Sequence, residues 1–100
     1  MPHAAVEITY EDQGSKGRYV ARIAGVEGEG ELTLSKLSET LVIADHTAVP
    51  DSMRGMGAAA ALADRLVADA RAAGRKIVPL CPFVRARSLQ RPDWADVIQP

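Results

Sequence analysis

The stretch Val49-Pro50-Asp51-Ser52-Met53-Arg54-Gly55-Met56-Gly57-Ala58 holds the residue types from which an anion site can be built. Glycines at 55 and 57 let backbone N–H groups approach a ligand with no Cβ in the way. If the loop opens a helix, the helix dipole adds partial positive charge at the same point. Arg54 adds a full charge that can hydrogen-bond phosphate. The chemistry implied is phosphate binding by Met53, Arg54, Gly55, Met56, Gly57 and Ala58. The alternative is a tight strand-to-helix turn that uses glycine for its dihedrals alone.

Cys81 and His46 are the other candidates. Pro82 stands where a helix would place its first residue, a position that proline favours, so the Cys81 thiol would lie beside a helix N-terminus. That setting lowers a cysteine pKa, and a thiolate there could serve as nucleophile or as base. A buried structural cysteine is the commoner alternative. An imidazole at position 46 could be the base for Cys81 or for an incoming amine, or could be satisfied by a backbone partner. Strand alternation would turn Asp45 to the face opposite His46, making it a poor orienting partner. His3 is assigned no role.

Four strands and a long helix must position these residues. Val6, Ile8 and Tyr10 alternate with Glu7 and Thr9, and Tyr19, Ala21 and Ile23 alternate with Arg18, Val20 and Arg22, each with the period of a half-buried strand. Asp12 to Gly17 is a turn by composition. Glu31 to Leu37 is a third alternating strand, and short connections imply antiparallel pairing. Leu41-Val42-Ile43-Ala44 is apolar on both faces, as in a strand buried in the middle of a sheet, and runs on to Val49. Ala59, Leu62, Leu66, Ala70 and Ala73 form one apolar stripe, which predicts a helix over Gly57 to Ala73, stopped by Gly74. Lys76 to Cys81 reads as a fifth strand, parallel to the fourth by the crossover rule, with Pro79 at an edge or splayed end. A short helix over Pro82 to Gln90 and a last turn around Trp94 complete a mixed, mostly antiparallel α+β sheet with its principal helix on one face. Ligands in such sheets bind beyond the C-terminal ends of parallel strands, where His46 and Cys81 lie.

Arg54-Gly55-Met56-Gly57-Ala58 at a strand-to-helix junction resembles the acetyl-CoA signature of the GNAT acetyltransferase superfamily. His46-Thr47-Ala48-Val49-Pro50 before it and Pro79-Leu80-Cys81-Pro82-Phe83-Val84 after it are similar, in the same order, to the small stand-alone branch of that superfamily. The likeness runs from about Glu29 to the C-terminus. It implies a GNAT-type fold, acetyl-CoA as cosubstrate with its pyrophosphate on the glycine loop, and a pantetheine arm paired with the backbone around Thr47 to Val49. It also implies a catalytic Cys81 and transfer of acetyl to an amine of a protein, peptide or small molecule. The chain departs from the superfamily at Ser52, where the signature opens with Gln or Arg. It has no tyrosine after Tyr19 to protonate a departing thiolate, and no helices between the first two strands. Those departures keep open a non-catalytic acyl-CoA sensor or interaction module.

Composition narrows the setting. One hundred residues suit a single domain spanning 1–100. No apolar run approaches a membrane span, no signal peptide is visible, and a lone cysteine forms no internal disulfide; a reducing, cytoplasmic location is expected. Residues 1–50 carry four basic and eight acidic side chains and residues 51–100 eight and five, so the halves differ in sign. The basic half suits a phosphorylated ligand and the acidic half a cationic amine. Arg85, Arg87 and Arg91 could reach a 3′-phosphate or form a solvated helix face. Nucleic acid is disfavoured by net acidity and the lack of an aromatic platform. No metal is expected, and oligomeric state is not readable.

Overall fold

The computed structural model describes residues 5–99; His3 lies outside them. β1 (Val6–Gln13), β2 (Lys16–Ile23), β3 (Gly30–Lys36), β4 (Leu41–Ala48) and β5 (Lys76–Pro79) form one sheet in sequence order. The first four pair antiparallel and β4 pairs with β5 in parallel, across the crossover helix α1 (Ala58–Ala73). α2 (Pro82–Leu89) and a 3₁₀ turn (Pro92–Trp94) follow. The α+β architecture expected from the alternation and the turn residues is the one observed.

The composition turn shrinks to Gly14–Ser15, because β1 and β2 pair out to Gln13 and Lys16. Gly14 has a φ of 77° there, a backbone that side chains rarely adopt. α1 begins one residue later than expected. It ends with Gly74 in the left-handed region, the Gly74 N–H donating to the Arg71 carbonyl at 3.3 Å and the Arg75 N–H to the Ala70 carbonyl at 2.8 Å. That is the Schellman arrangement, which satisfies carbonyls the helix cannot.

α1 buries Ala58, Leu62, Ala63, Leu66, Val67 and Ala70. This face is rotated from the predicted stripe, whose end residues Ala59 and Ala73 are only partly buried or exposed. It packs on Tyr19, Ala21, Leu32, Leu34, Val42, Ala44 and Ile77, the sheet's inner face. The outer face has no helix. Consequently β4, although flanked on both edges, is fully buried only at Val42 and Ala44, and Ile43 is half-buried. Val20, on the outer face between Arg18 and Arg22, is buried although it lies outside the core cluster; the charged side chains of that face cover it.

The C-terminus closes the β5 edge. The Ile77 N–H donates to the Val97 carbonyl at 2.7 Å and the Gln99 N–H to the Ile77 carbonyl at 2.8 Å, so an otherwise unpaired edge is covered. Trp94 is buried, as expected of a core plug, with the Arg91 guanidinium 4.9 Å from its ring centre. Arg71 donates to both Asp96 oxygens, at 2.9 and 2.8 Å.

Leu62→Ala removes a fully buried side chain from the centre of α1 and should cost about 2–5 kcal/mol in urea unfolding. Arg71 pulls the Asp96 carboxyl from 3.8 down to about 2. A depressed carboxyl contributes stability above its unfolded value and loses it as pH falls towards the folded one. Between pH 4 and 2 the C-terminal turn should therefore loosen, read as a shift in Trp94 fluorescence, and Asp96→Asn should flatten that transition.

Candidate active site

The pairing of β4 with β5 ends early. Its last partners are Ala44 and Pro79, and the Cys81 N–H then donates to the Ala44 carbonyl at 2.8 Å. Beyond this bond the chain turns into α2, and β4 continues from Asp45 to Ala48 with no strand on that side. Pro79 explains the ending: it has no N–H to offer a ladder. The sheet therefore has a gap in its pairing beside Asp45 to Ala48.

A bulge lies at the mouth of the gap. Leu34 pairs with Ala44 and Thr33 with His46, leaving Asp45 as the extra residue. Alternation is interrupted there, which corrects the expectation that Asp45 faces away from His46. Ser35 on the bare face donates to Asp45 Oδ2 at 2.7 Å, and His46 meets Thr33 and Glu31 on that same face.

Thr47 points the other way. Its hydroxyl lies 3.3 Å from Cys81 Sγ, and the cysteine is 1% exposed. Cys81 is the residue before α2, and Pro82 is that helix's first, as the sequence implied. His46 is 54% exposed at its side chain, with Nδ1 3.0 Å from Thr33 Oγ1 and Nε2 2.8 Å from Glu31 Oε2. Both ring nitrogens are thus engaged on the face opposite the sulfur. The structure does not bring His46 and Cys81 together, and the reason is strand geometry, since positions 46 and 47 project to opposite sides.

The glycine loop leaves β4 through Val49 and Pro50 and a 3₁₀ turn over Asp51–Met53. The Met53 side chain is buried in the core and anchors the loop. Gly55 and Gly57 have φ of 77° and 82°, and an added Cβ at either would meet nothing within 4 Å. Open space faces both. The α1 N-terminus carries no side-chain cap and no acidic residue in its first turn, and its first intrahelical bond is Ala61 N–H to the Gly57 carbonyl at 2.9 Å. The N–H groups of Ala58, Ala59 and Ala60 therefore have no partner within the helix. Free N–H donors at the positive end of a helix dipole are the groups from which an anion site is built. A cavity of about 360 Å³ is bounded by Val49, Gly55, Gly57, Ala58, Phe83 and Arg87 among others.

Arg54 is at the loop's surface and pairs with Asp51, so its charge is partly spent before any ligand arrives. Met56 is exposed and does not line the cavity. The three C-terminal arginines separate. Arg87 borders the glycine-loop cavity, whereas Arg85 and Arg91 border a different cleft beside β5. Arg87 and Arg91 both reach Asp64 of α1. Sequence reasoning missed Phe83 as a wall of the cavity, and missed Glu31 and Thr33. Phe83 could have been found from its place as the second residue of the helix that Pro82 opens. The other two read as ordinary solvent-facing strand positions, and only pairing across β3 and β4 exposes their role.

No helix among the described residues is long and apolar enough to cross a membrane, which says nothing of β-barrels. No curated protein matches the chain. The family model for the GCN5-related N-acetyl-transferase matches residues 18–97. That span reaches from β2 to the C-terminal turn, so it takes in two strands' worth of chain ahead of the three motifs. A strand gap, an uncapped helix N-terminus and this match together carry one conclusion: the chain belongs to the GCN5-related N-acetyltransferase family.

Proposed function

We propose that the protein is an acetyl-CoA-dependent N-acetyltransferase acting on an amine, in a reducing, cytoplasmic setting. One observation carries the reading: the uncapped N-terminus of α1, with left-handed Gly55 and Gly57 before it, adjoins a β4 edge that β5 has left free. The N–H groups of Ala58 to Ala60 would hold the pyrophosphate, with Gly55 and Gly57 allowing close approach. The backbone of Thr47 to Val49 would pair with the pantetheine amides as a strand pairs with a neighbour. Bound there, acetyl-CoA supplies an activated thioester at the sheet gap.

Cys81 flanks that gap, and its sulfur would receive the acetyl group or line the thioester pocket. Its burial and its single polar neighbour, the Thr47 hydroxyl, support a second reading. In that reading the site binds acyl-CoA without turnover and the protein is a sensor.

CoA should raise the melting temperature, since any ligand selective for the folded state does so; at 100 times Kd the gain is about 2.7 kcal/mol, on the order of 10 °C for a chain of this size. Asn and Asp both tolerate a left-handed backbone. Gly55→Asn should therefore keep most of the shift, and Gly55→Asp, which sets a carboxylate beside the phosphates, should abolish it. A wild-type melting curve unmoved by saturating CoA contradicts the proposal. Cys81→Ala should bind CoA as wild type does yet lose both the acetyl adduct seen by intact-mass analysis and turnover on amines. Undiminished turnover in that variant would leave direct transfer, with the cysteine a bystander. Tight binding without transfer to any of a broad panel of amines, peptides and polyamines would select the sensor.

A further inference from the structure

A second cleft, of 670 Å³, lies between β5, α2 and the C-terminal turn. β5 contributes Val78 and Leu80, α2 contributes Arg85 and Leu89, and the turn contributes Trp94 and Ile98. Positions 85 and 89 are one helical turn apart, so these two α2 side chains are neighbours on one face. Leu80 is 66% exposed and Leu89 82%. Two large aliphatic side chains on two walls of one cleft are thus left in water, and grouped apolar exposure of that kind marks a binding surface. The cleft shares no lining residue with the glycine-loop cavity.

No carboxylate lines the cleft, and its two guanidiniums are in different states. Arg91 donates from Nε and Nη2 to the two Asp93 oxygens, at 2.9 and 2.8 Å, and lies over the Trp94 ring. Its charge is matched and it serves as wall. The Arg85 side chain has no hydrogen-bond or ion-pair partner among the described residues, whereas every other arginine donates to a carboxylate or a carbonyl. Ser88 spends its proton on the Arg85 carbonyl, at 2.7 Å. The one unmatched charge at the cleft is therefore the Arg85 guanidinium, a planar fork that fits a carboxylate with two parallel hydrogen bonds.

The rest of the lining selects the body of the ligand. Trp94 is buried and has Arg91 over its ring, so the cleft offers aliphatic contact rather than aromatic stacking. A peptide strand cannot add at Ile77, because the C-terminal segment already takes both its backbone groups. The occupant must bind through a flexible apolar body and one anionic head. We propose that this cleft binds a medium-chain aliphatic carboxylate, with the carboxylate on Arg85 and the alkyl chain across Leu80, Leu89 and Ile98. A cleft of 670 Å³ is within the range that holds small molecules. The site is separate from the one proposed for acyl-CoA, and its occupancy does not require CoA.

The test is nuclear magnetic resonance of the full ¹⁵N-labelled chain without CoA, titrated with sodium octanoate. Octanoate should shift the amides of Leu80, Leu89, Ala95 and Ile98 and the Trp94 indole N–H along one binding curve. Through hexanoate, octanoate and decanoate the affinity should rise, by about fourfold for each methylene that the walls cover completely. Octanol and octylammonium should bind at least about tenfold more weakly than octanoate, and Arg85→Gln should remove that preference for the carboxylate. Leu89→Ser should weaken octanoate and leave the preference intact. Arg85 and Leu89 are exposed, so both variants should melt as wild type does. Absence of shifts, shifts that map to another surface, equal binding of octanoate and octylammonium, or an unchanged preference in Arg85→Gln overturns the assignment. Concentration-dependent shifts of the same amides with no ligand added would give the cleft to a second copy of the chain, and overturn it as well. Failure of CoA to bind would sink the acetyltransferase reading and leave this titration standing, because it contains no CoA.

Discussion

The parallel ladder between β4 and β5 stops at Ala44 and Pro79, and the site depends on that stop. A strand pair that ran on would seal β4's edge and leave no backbone for a ligand to join. Proline ends the ladder by lacking an N–H, and Cys81 contributes the last bond before the chain leaves the sheet. β4 itself does not stop, because β3 holds its other edge as far as Ala48. A strand supported on one side and released on the other is the physical basis of the acyl-CoA site proposed for this molecule.

The bulge at Asp45 decides what the gap presents to each side. Under unbroken alternation His46 would share the inner face of Ala44 and Thr47 would turn from Cys81. With it, a buried sulfur and hydroxyl lie on the helix side, and an exposed imidazole held by Glu31 and Thr33 lies on the other. The two faces also differ in how they are stabilised. The inner one is dry aliphatic packing against α1. The outer one covers Val20 with an ionic network centred on Arg18, and exposed pairs of that kind contribute little stability each.

Much of this was legible in the sequence because it is encoded locally. Alternation marked β1 to β3, the glycine at 74 marked the end of α1, and the crossover rule gave the parallel pair. Pro82 gave the start of α2. The rest depends on contacts between residues far apart in the chain. The bulge arises from the β3–β4 register, so counting along β4 alone put Asp45 on the wrong face. The same blindness joined His46 to Cys81, which end neighbouring strands but project to opposite sides. Arg85, Arg87 and Arg91 read as one basic group, yet Arg87 borders the glycine-loop cavity and Arg85 and Arg91 border the cleft beside β5, while Asp64 is bonded by both Arg87 and Arg91. Ala59 and Ala73 were placed on the buried stripe because in a run of alanines the pattern has little to distinguish one face from the next.

The central claim is that the α1 N-terminus and the free edge of β4 form one binding surface for an acyl-CoA. Titrating uniformly ¹⁵N-labelled protein with CoA tests it most directly. The account predicts that the amides of Gly55, Gly57 and Ala58 to Ala60 shift together with those of Thr47 to Val49, along a single binding curve. Shifts confined to the cleft between β5 and the C-terminal turn, around Leu80, Leu89 and Ala95, or no shifts at all, would contradict it.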